Sequence, residues 1–358
     1  MYEEADDNFK FNSELVSSFK LPKVITMIKN LFLSVLAASI SICSYAQTNI
    51  SDYQFEKKIE VPGTGWWDYL QIDTLHHRLF VSHGDEVNVI DVRTEKPVGV
   101  ISGLEGVHGV AIADELNKGF ISNGKGNSVT VFDLSTLKKI TSIPVTGKDP
   151  DCILYDRFSG QVFTFNGESG NSTMINARTL KVAGTIDLGG APEFAVSDGK
   201  RRIYNNIEDK NEIVVIDTKT GKIKSRYSIA PSGKASGMAI DVRHERLFTT
   251  CRNDNKLVVV NGLTGKVIES LPIGSGADGA RYDPETNLIS ASCGRDGVVT
   301  IIHEDSPDSY HIVQTLQTEK GARTMELNPI NHKMYLSVGK RPSSDTDRGS
   351  FAVLVYKM

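Results

Sequence analysis

Residues 211–229, NEIVVIDTKTGKIKSRYSI, decide the fold, because they predict two short strands joined by a tight turn. Residues 213–216 are four consecutive β-branched side chains bounded by polar ones, a pattern typical of a strand buried on both faces. Asp217, Thr218 and Gly221 belong to residue types that favour a turn. A second strand follows, so the stretch predicts one strand-turn-strand module.

The same module recurs along the chain. The copies are EVNVIDVRTEKPVGVI from residue 86, SVTVFDLSTLKKITSI from 128, STMINARTLKVAGTI from 172 and KLVVVNGLTGKVIESL from 256. The steps between equivalent positions are 42, 43, 41 and 44 residues, measured at Ile90, Phe132, Ile175, Ile216 and Val260. A period in the low forties built from strand-like segments predicts the blades of a β-propeller.

Seven strand openings carry a polar or small residue at one fixed place, which predicts seven blades of four antiparallel strands. These ring residues are Asp68, His108, Asp151, Glu193, Ser236, Asp278 and Arg323, at intervals of 40, 43, 42, 43, 42 and 45. The last repeat ends after its third strand, whereas residues 53–61 form a strand with no partner nearby in sequence. We therefore expect an all-β, seven-bladed propeller over residues 47–358, closed by the N-terminal strand pairing into the last blade.

The segment before the repeats has the pattern of a secretory signal peptide. It contains Lys29, an apolar run over residues 31–42 and then Ser44-Tyr45-Ala46, a small-x-small cleavage pattern. Because Met27 is a natural start for such a peptide, residues 27–46 are assigned to it. Residues 1–26 are expected either to precede the true translation start or to be disordered. We expect a periplasmic or secreted protein with no membrane span after cleavage, the alternative being an uncleaved anchor.

Net charge and cysteine content bear on two further questions, nucleic-acid binding and disulfide formation. The formal net charge of −4 over 358 residues offers no basic surface for nucleic acid, so DNA binding is the least favoured hypothesis. Cleavage would leave Cys152, Cys251 and Cys293, an odd number. Cys251 and Cys293 lie one repeat apart, so they occupy equivalent places on adjacent blades. They either form a disulfide or remain as two buried free thiols. We expect a monomer.

The repeated VIDTKTGK-type turn resembles the YVTN-repeat, YncE-like seven-bladed propellers of secreted bacterial proteins. The resemblance covers essentially the whole predicted mature chain and is most marked over residues 192–214, 107–133 and 301–307. The Tyr-Val-Thr-Asn element itself is degenerate here, as Phe120-Ile121-Ser122-Asn123 and Phe163-Thr164-Phe165-Asn166. The resemblance implies fold and export, and it implies no particular reaction.

Two sets of side chains are predicted to converge at one mouth of the central channel. In each blade the first strand starts at the same face of the propeller at which the turn between the second and third strands lies. The first set is the ring of seven residues named above. The second set is His83, Asp85, Asn123, Asn166, Glu168, Asn206, Glu208, Arg252, Arg295 and Lys340. Trp66, Trp67 and Tyr69 add an aromatic surface suited to stacking on a sugar.

Three kinds of chemistry fit these residues. Asp68, Asp151, Glu193 and Asp278 could ligate Ca²⁺ or Mg²⁺, since such ions prefer oxygen ligands. His108 could act as general acid and base while Arg323 holds an anionic group. The third possibility is recognition of a polar ligand without catalysis. The alternative to all three is a ring with a purely structural role, in which the charged residues neutralise one another.

The sequence favours an exported propeller that binds a small polar ligand or another exported protein at its charged channel mouth. The predicted ligand-binding residues are Asp68, His108, Asp151, Glu193, Asp278, Arg323, Trp67, Asn123, Asn166, Glu208 and Arg295. The alternative function is a metal-assisted lyase or hydrolase that acts on a polar or carbohydrate-derived substrate at the same mouth, with His108 and Arg323 as candidate catalytic residues. Whether the protein is an enzyme stays open.

Overall fold

The structure is a computed structural model that describes residues 52–63, 66–340 and 350–358. The predicted signal peptide and the residues before it lie outside this part of the chain. Within the three described ranges, no helix has both the length and the apolar character needed to cross a bilayer.

The described chain forms seven four-stranded antiparallel sheets, which are the seven predicted blades. The N-terminal strand is β1 (Gln54–Glu60). Blade 1 contains β2 (Trp67–Asp73), β3 (Arg78–His83), β4 (Glu86–Asp91) and β5 (Lys96–Ile101); blade 2 contains β6 (Val107–Ala113), β7 (Lys118–Asn123), β8 (Ser128–Asp133) and β9 (Lys139–Pro144). Blade 3 contains β10 (Pro150–Asp156), β11 (Gln161–Asn166), β12 (Asn171–Asn176) and β13 (Lys181–Asp187).

The remaining blades repeat this order. Blade 4 contains β14 (Pro192–Ser197), β15 (Arg202–Ile207), β16 (Glu212–Asp217) and β17 (Lys222–Ser228); blade 5 contains β18 (Ala235–Asp241), β19 (Arg246–Cys251), β20 (Lys256–Asn261) and β21 (Val267–Pro272). Blade 6 contains β22 (Ala277–Asp283), β23 (Leu288–Cys293), β24 (Val298–Ser306) and β25 (Ser309–Gln317); blade 7 contains β26 (Met325–Leu327), β27 (Met334–Lys340), β28 (Ser350–Lys357) and β1. Short 3₁₀ turns lie at Asp114–Leu116 and Glu208–Lys210.

The ring closes as predicted, because β1 pairs antiparallel with β28 as the outermost strand of blade 7. Ile59 lies opposite Val353 in this pair, and both side chains are buried. The Tyr53 hydroxyl donates to the carbonyl of His332 at 2.8 Å, which fixes the start of the strand to the same blade. The N-terminal strand therefore supplies the fourth strand that the last repeat lacks.

The turn that marks each repeat is held by an Asp or Asn side chain. In blade 4 the Asp217 carboxylate accepts the backbone N–H of Thr220 at 3.0 Å, and the Gly221 N–H donates to the Asp217 carbonyl at 2.9 Å. Gly221 has φ of 65°, the left-handed conformation that follows a type I turn in hairpins of this length. A register shift between Val215 and Ile216 completes the hairpin. This geometry explains the recurring pattern of an Asp or Asn, three turn residues and a residue of positive φ, which is Gly221 in blade 4 and Gly265 in blade 5 but Glu95, Leu137 and Leu180 in blades 1–3.

The core is divided into clusters that lie between neighbouring blades. Between blades 1 and 2, Phe80 and Phe132 pack with ring centroids 5.5 Å apart, alongside Val89 and Ile121. All four side chains are fully buried. Because each cluster belongs to two blades, every blade depends on its neighbours for burial.

The three cysteines in the described residues are free and buried. Burial raises the pKa of Cys251 and of Cys293 to about 12, so both are protonated and unreactive at neutral pH. Of the two possibilities that the spacing left open, the structure has the free thiols.

Deleting residues 53–61 should abolish most soluble, cooperatively folded protein. The deletion removes the buried Tyr53, Ile59 and Val61 and exposes the full edge of β28. At about 1.5–3 kcal/mol for each buried apolar side chain, the loss approaches the 5–15 kcal/mol stability of a typical domain. Soluble yield and thermal melting followed by circular dichroism measure the effect. A chain that begins at residue 52 is the control, and equal melting of the two chains would contradict this closure.

Candidate functional site

The inner strands of six blades carry their ring residue in a β-bulge, whereas Arg323 of blade 7 lies just before β26. In blades 1–6 the pairing between first and second strands shifts register at this place, between Trp67 and Leu70 in blade 1 and between Val107 and Val110 in blade 2. The same shift recurs in the other four of these blades. A bulge breaks the strict alternation of side chains and redirects one of them. The ring residues of these six blades are therefore aimed by a repeated backbone irregularity.

Hydroxyl groups fix the backbone of the ring from one blade to the next. Ser122 of blade 2 donates to the carbonyl of Asp151 in blade 3 at 2.7 Å. Thr324 of blade 7 donates to the carbonyl of Asp68 in blade 1 at 2.6 Å. Ser292 of blade 6 likewise bonds the carbonyl of Arg323 in blade 7. All three hydroxyl residues are buried, so these bonds set the positions of neighbouring ring residues relative to each other.

His108 is the centre of the first charged cluster. Its Nδ1 lies 2.7 Å from Asp68 Oδ2 and 3.4 Å from Asp151 Oδ1, and its Nε2 lies 3.6 Å from Asp149 Oδ1. Although burial favours the neutral ring, the hydrogen bond with Asp68 and the charge of Asp151 raise the pKa of His108 to about 9. The imidazole is therefore a cation at neutral pH.

Two arginines form the second cluster. Arg252 contacts the carboxylate of Asp278, and its guanidinium lies 3.3 Å from Glu208 and 3.7 Å from Glu193. Arg323 lies 3.2 Å from Asp278 and 3.7 Å from Asp68, so it links this cluster to that of His108. Asp278 thus faces two guanidinium groups.

Around the ring, acids and bases alternate except at one place. Asp68 and Asp151 flank His108, and Asp278 lies between Arg252 and Arg323. Asp151 of blade 3 and Glu193 of blade 4 follow each other with no base between their blades. Oδ1 of Asp151 accepts no hydrogen bond within the described residues, although the atom is buried. We call Asp151 and Glu193 the acid pair.

The pKa values of the acid pair reflect this lack of a base. Burial, followed by the charge of Asp68, raises the pKa of Asp151 to about 7. Burial, followed by the charge of Asp151, raises the pKa of Glu193 well above its ordinary value. The charge of Asp151 therefore disfavours ionisation of Glu193, and the two buried acids favour either bound protons or an added cation.

Aromatic side chains line the mouth and close the channel below it. Trp66 lies edge-on to His108 with centroids 5.1 Å apart, and the Arg323 guanidinium lies 5.9 Å from its ring centre. Deeper in the channel, Tyr69 and Phe194 contact each other at 5.2 Å. Below them lies a cavity of about 380 Å³, lined mostly by apolar residues and by the Arg281 and Glu326 ion pair.

Several predicted site residues lie in the blades and away from the charged clusters. Asn123 and Asn166 are buried and bond to strands of their own blades, at Thr130 and Thr173 respectively. Trp67 packs on Phe351 and donates from Nε1 to the carbonyl of Gly321 at 3.3 Å, so Trp66 is the tryptophan that faces the ring.

The other departures from the predicted pattern concern the ring itself. Ser236 donates to the carbonyl of Ala277 and serves the junction between blades. Arg252, from the turn after β19, supplies the charge for blade 5 in its place. Arg295 is exposed at the rim and forms no ion pair within the described residues.

Sequence reasoning missed Asp149 and the lower layer of the channel. Asp149 lies in the loop before β10 with φ of 57° and approaches His108 from outside the ring, a placement that only the loop conformation decides. Arg281 and Glu326 each lie three positions after a ring residue, so the same repeat register could have found them.

A metal ion could use only part of the predicted carboxylate set. Asp278 already contacts two arginines, so its charge is compensated and it is a poor ligand for an added cation. Asp68, His108 and Asp151 offer donor atoms that all lie within 4.8 Å of one another. This mixed nitrogen and oxygen set differs from the all-oxygen set expected for Ca²⁺ or Mg²⁺.

Comparisons with known proteins support the architecture. No family model and no curated protein matches the chain. Among solved structures, a chain in "Crystal Structure of Mitotic Checkpoint Complex" is similar with a TM-score of 0.70 and 13% identity, over 85% of this chain and 92% of that chain. At this identity the likeness shows the fold alone. Since 1671 solved chains share such similarity, it selects no activity.

Replacing Asp151 by Asn should raise the melting temperature more at pH 8 than at pH 5. The folded carboxyl keeps its proton up to a pKa of about 7, whereas an unfolded Asp loses it near pH ~3.9. Between these values the native state binds more protons, so the stability of the natural protein falls as pH rises. Asn develops no charge and avoids this fall. Between pH 5 and the folded pKa of about 7 the loss reaches at most about 3 kcal/mol, at ~1.36 kcal/mol for each pH unit. Each ~1 kcal/mol that the variant regains corresponds to roughly 2–4 °C.

Thermal melting monitored by circular dichroism at both pH values measures the difference. The exposed Asp187 provides the control as Asp187→Asn, which should behave alike at pH 5 and pH 8. A variant Asp151→Asn that is less stable than the natural protein at pH 8 would show that the carboxylate is compensated by His108.

Proposed function

We propose that this chain is an exported, YncE-like propeller of the YVTN-repeat type that binds a small polar ligand at its charged channel mouth. The fold is consistent with a ligand-binding or interaction module. Family and export rest on the sequence, namely the repeated VIDTKTGK-type turn and the signal-like residues 27–46. Residues 47–358 would then form the mature protein, in the periplasm or outside the cell.

The observation that carries the proposed function is the acid pair. Every other ring carboxylate, Asp68 and Asp278, has a cationic side chain within 3.2 Å, whereas Asp151 lies 3.4 Å and Glu193 lies 3.7 Å from the nearest base. The two acids thus share a deficit of positive charge in a partly buried site. A ligand cation would remove that deficit, which is the ordinary way to stabilise adjacent carboxylates.

The surroundings of the acid pair favour a protonated amine on a polar molecule. An ammonium group donates up to three hydrogen bonds, and we propose that it uses them on both carboxylates. Trp66 provides a flat apolar surface at the same mouth, which suits the face of a sugar ring. An amino sugar combines these two features. A lysine side chain of another exported protein would bring the same ammonium chemistry.

Glucosamine should bind more tightly than N-acetylglucosamine, because acetylation removes the positive charge and keeps the ring. Asp151→Asn or Glu193→Gln should weaken glucosamine binding by at least about tenfold, since hydrogen bonds to charged groups contribute ~1.5–3 kcal/mol. Isothermal titration calorimetry at pH 7.5 measures both effects, with Asp187→Asn as the control. Cadaverine tests whether the amine alone suffices. If no amine binds at millimolar concentration, or if both sugars bind equally, the proposed cationic ligand is wrong.

A metal-assisted lyase or hydrolase is the second candidate. Asp68, His108 and Asp151 are close enough together to share one ion. In such an enzyme His108, or a water held by these residues, would transfer protons, and Arg323 would hold an anionic part of a polar substrate. The fact that Arg323 already contacts Asp68 and Asp278 makes this function the less favoured one.

Removal of divalent ions separates the two candidates. If the site is a ligand-binding mouth, treatment with EDTA leaves the melting temperature unchanged, and metal analysis finds no Ca²⁺ or Mg²⁺ at stoichiometric amounts. A metal-assisted enzyme would lose several degrees of stability on chelation, and His108→Gln would abolish that loss. The second result would overturn ligand binding as the primary function.

A further inference from the structure

The outer hairpin of blade 6 is longer than the corresponding hairpins of blades 1–5. Strands β24 and β25 have nine residues each, whereas the third and fourth strands of those blades have six or seven. The added residues extend the hairpin at its turn, on the face opposite the charged mouth. A four-stranded blade does not require this extension, and the extension carries an unusual set of side chains.

Two histidines and one aspartate meet on this extension. His303 and His311 are directly opposed in the strand register, with ring centroids 5.6 Å apart. Asp305 lies between them, with Oδ1 2.9 Å from Nδ1 of His303 and Oδ2 2.7 Å from Nδ1 of His311. The three donor atoms lie within 4.8 Å of one another, and we call these residues the hairpin triad.

We propose that the hairpin triad binds a divalent transition metal ion of the zinc type, independently of the channel mouth. Two imidazole nitrogens and one carboxylate oxygen are typical ligands of Zn²⁺, Cu²⁺ and Ni²⁺ and suit Ca²⁺ or Mg²⁺ poorly. Ligands at ~2.0–2.1 Å from a tetrahedral ion lie about 3.3 Å apart. The present nitrogen to oxygen distances therefore need to open by only about half an ångström.

Each side chain can make this change without disturbing the blade. The side chains of His311 and Asp305 are 56% and 42% exposed, and that of His303 is 18% exposed. On metal binding each imidazole would bond through Nδ1 and carry its hydrogen on Nε2. An ordinary Asp carboxyl group loses its proton near pH ~3.9. The carboxylate is therefore ionised and ready to ligate at neutral pH.

The fourth coordination position is open to solvent. The neighbouring Glu304 points the other way, where its carboxylate accepts from Tyr282 at 2.7 Å and Tyr310 at 3.3 Å. It is also buried, so it does not reach the triad. Three protein ligands and an open position leave room for a water molecule or for a side chain of another protein.

Titration with Zn²⁺ tests the hairpin triad. Untagged protein, freed of metal with EDTA and exchanged into buffer, is titrated with Zn²⁺ in a calorimeter, and Co²⁺ absorption reports the coordination. The variant His311→Gln should lose one equivalent of bound Zn²⁺. The affinity of that equivalent should fall by more than about 100-fold, since even groups outside the ligand shell change metal affinity 10- to 100-fold. His303→Gln should give the same loss, and melting curves verify that each variant folds.

The control is His76→Gln, because His76 forms a similar pair with Asp73 at 2.7 Å but has no second imidazole beside it. This variant should bind Zn²⁺ as the natural protein does. Any equivalent held at the channel mouth persists in His311→Gln and disappears in His108→Gln, so the two sites are distinguished. The hairpin triad is not a metal site if the natural protein binds no Zn²⁺, or if His311→Gln binds as many equivalents of Zn²⁺ as the natural protein. The same conclusion follows if His76→Gln loses as much bound Zn²⁺ as His311→Gln does.

Discussion

Closure of the ring is the constraint on which the rest of the structure depends. The pairing of β1 with β28 joins the two ends of the described propeller, and the bond from Thr324 to the Asp68 carbonyl joins blade 7 to blade 1 at the channel. Each hydrophobic cluster lies between two blades, so an open ring would leave one face of a terminal blade in water. Closure also brings Asp68 and Arg323, which are 255 positions apart, to within 3.7 Å. The charged mouth is thus a product of topology.

At that mouth the chain holds more negative than positive charge. Burying a charge is unfavourable unless a partner or a hydrogen bond accompanies it, and removal of one partner from a buried pair costs about 3–5 kcal/mol. His108, Arg252 and Arg323 compensate most of the ring, and the deficit is confined to Asp151 and Glu193. A local deficit that lowers stability is typical of a functional site, where the native state is adapted to an added group. The same principle weighs against a ring whose only role is structural.

The sequence could predict the ring and could not predict how its side chains pair. The repeat period determines the topology, so the convergence of residues from Asp68 to Arg323 follows from it. In blades 1–6 a bulge at the ring residue breaks the alternation of side chains, so the pattern alone does not say which neighbouring side chain faces the mouth. Trp66 faces His108, while Trp67, the tryptophan predicted to bind ligand, packs on Phe351. The choice of Arg252 as the base of blade 5 depends on a turn conformation, and no periodic pattern contains that information. Asn123 and Asn166 have the right position but bond within their own blades.

The uncompensated charge of the acid pair is open to direct measurement by carbon-13 NMR of the side-chain carboxyl groups during a pH titration. A carboxyl signal that titrates near pH 7, and that is absent from Asp151→Asn, is the expected result. Ordinary carboxyl groups titrate at roughly pH 3–5. If every Asp and Glu signal titrates in that ordinary range, then the chain itself neutralises the mouth and the case for a ligand cation between blades 3 and 4 fails.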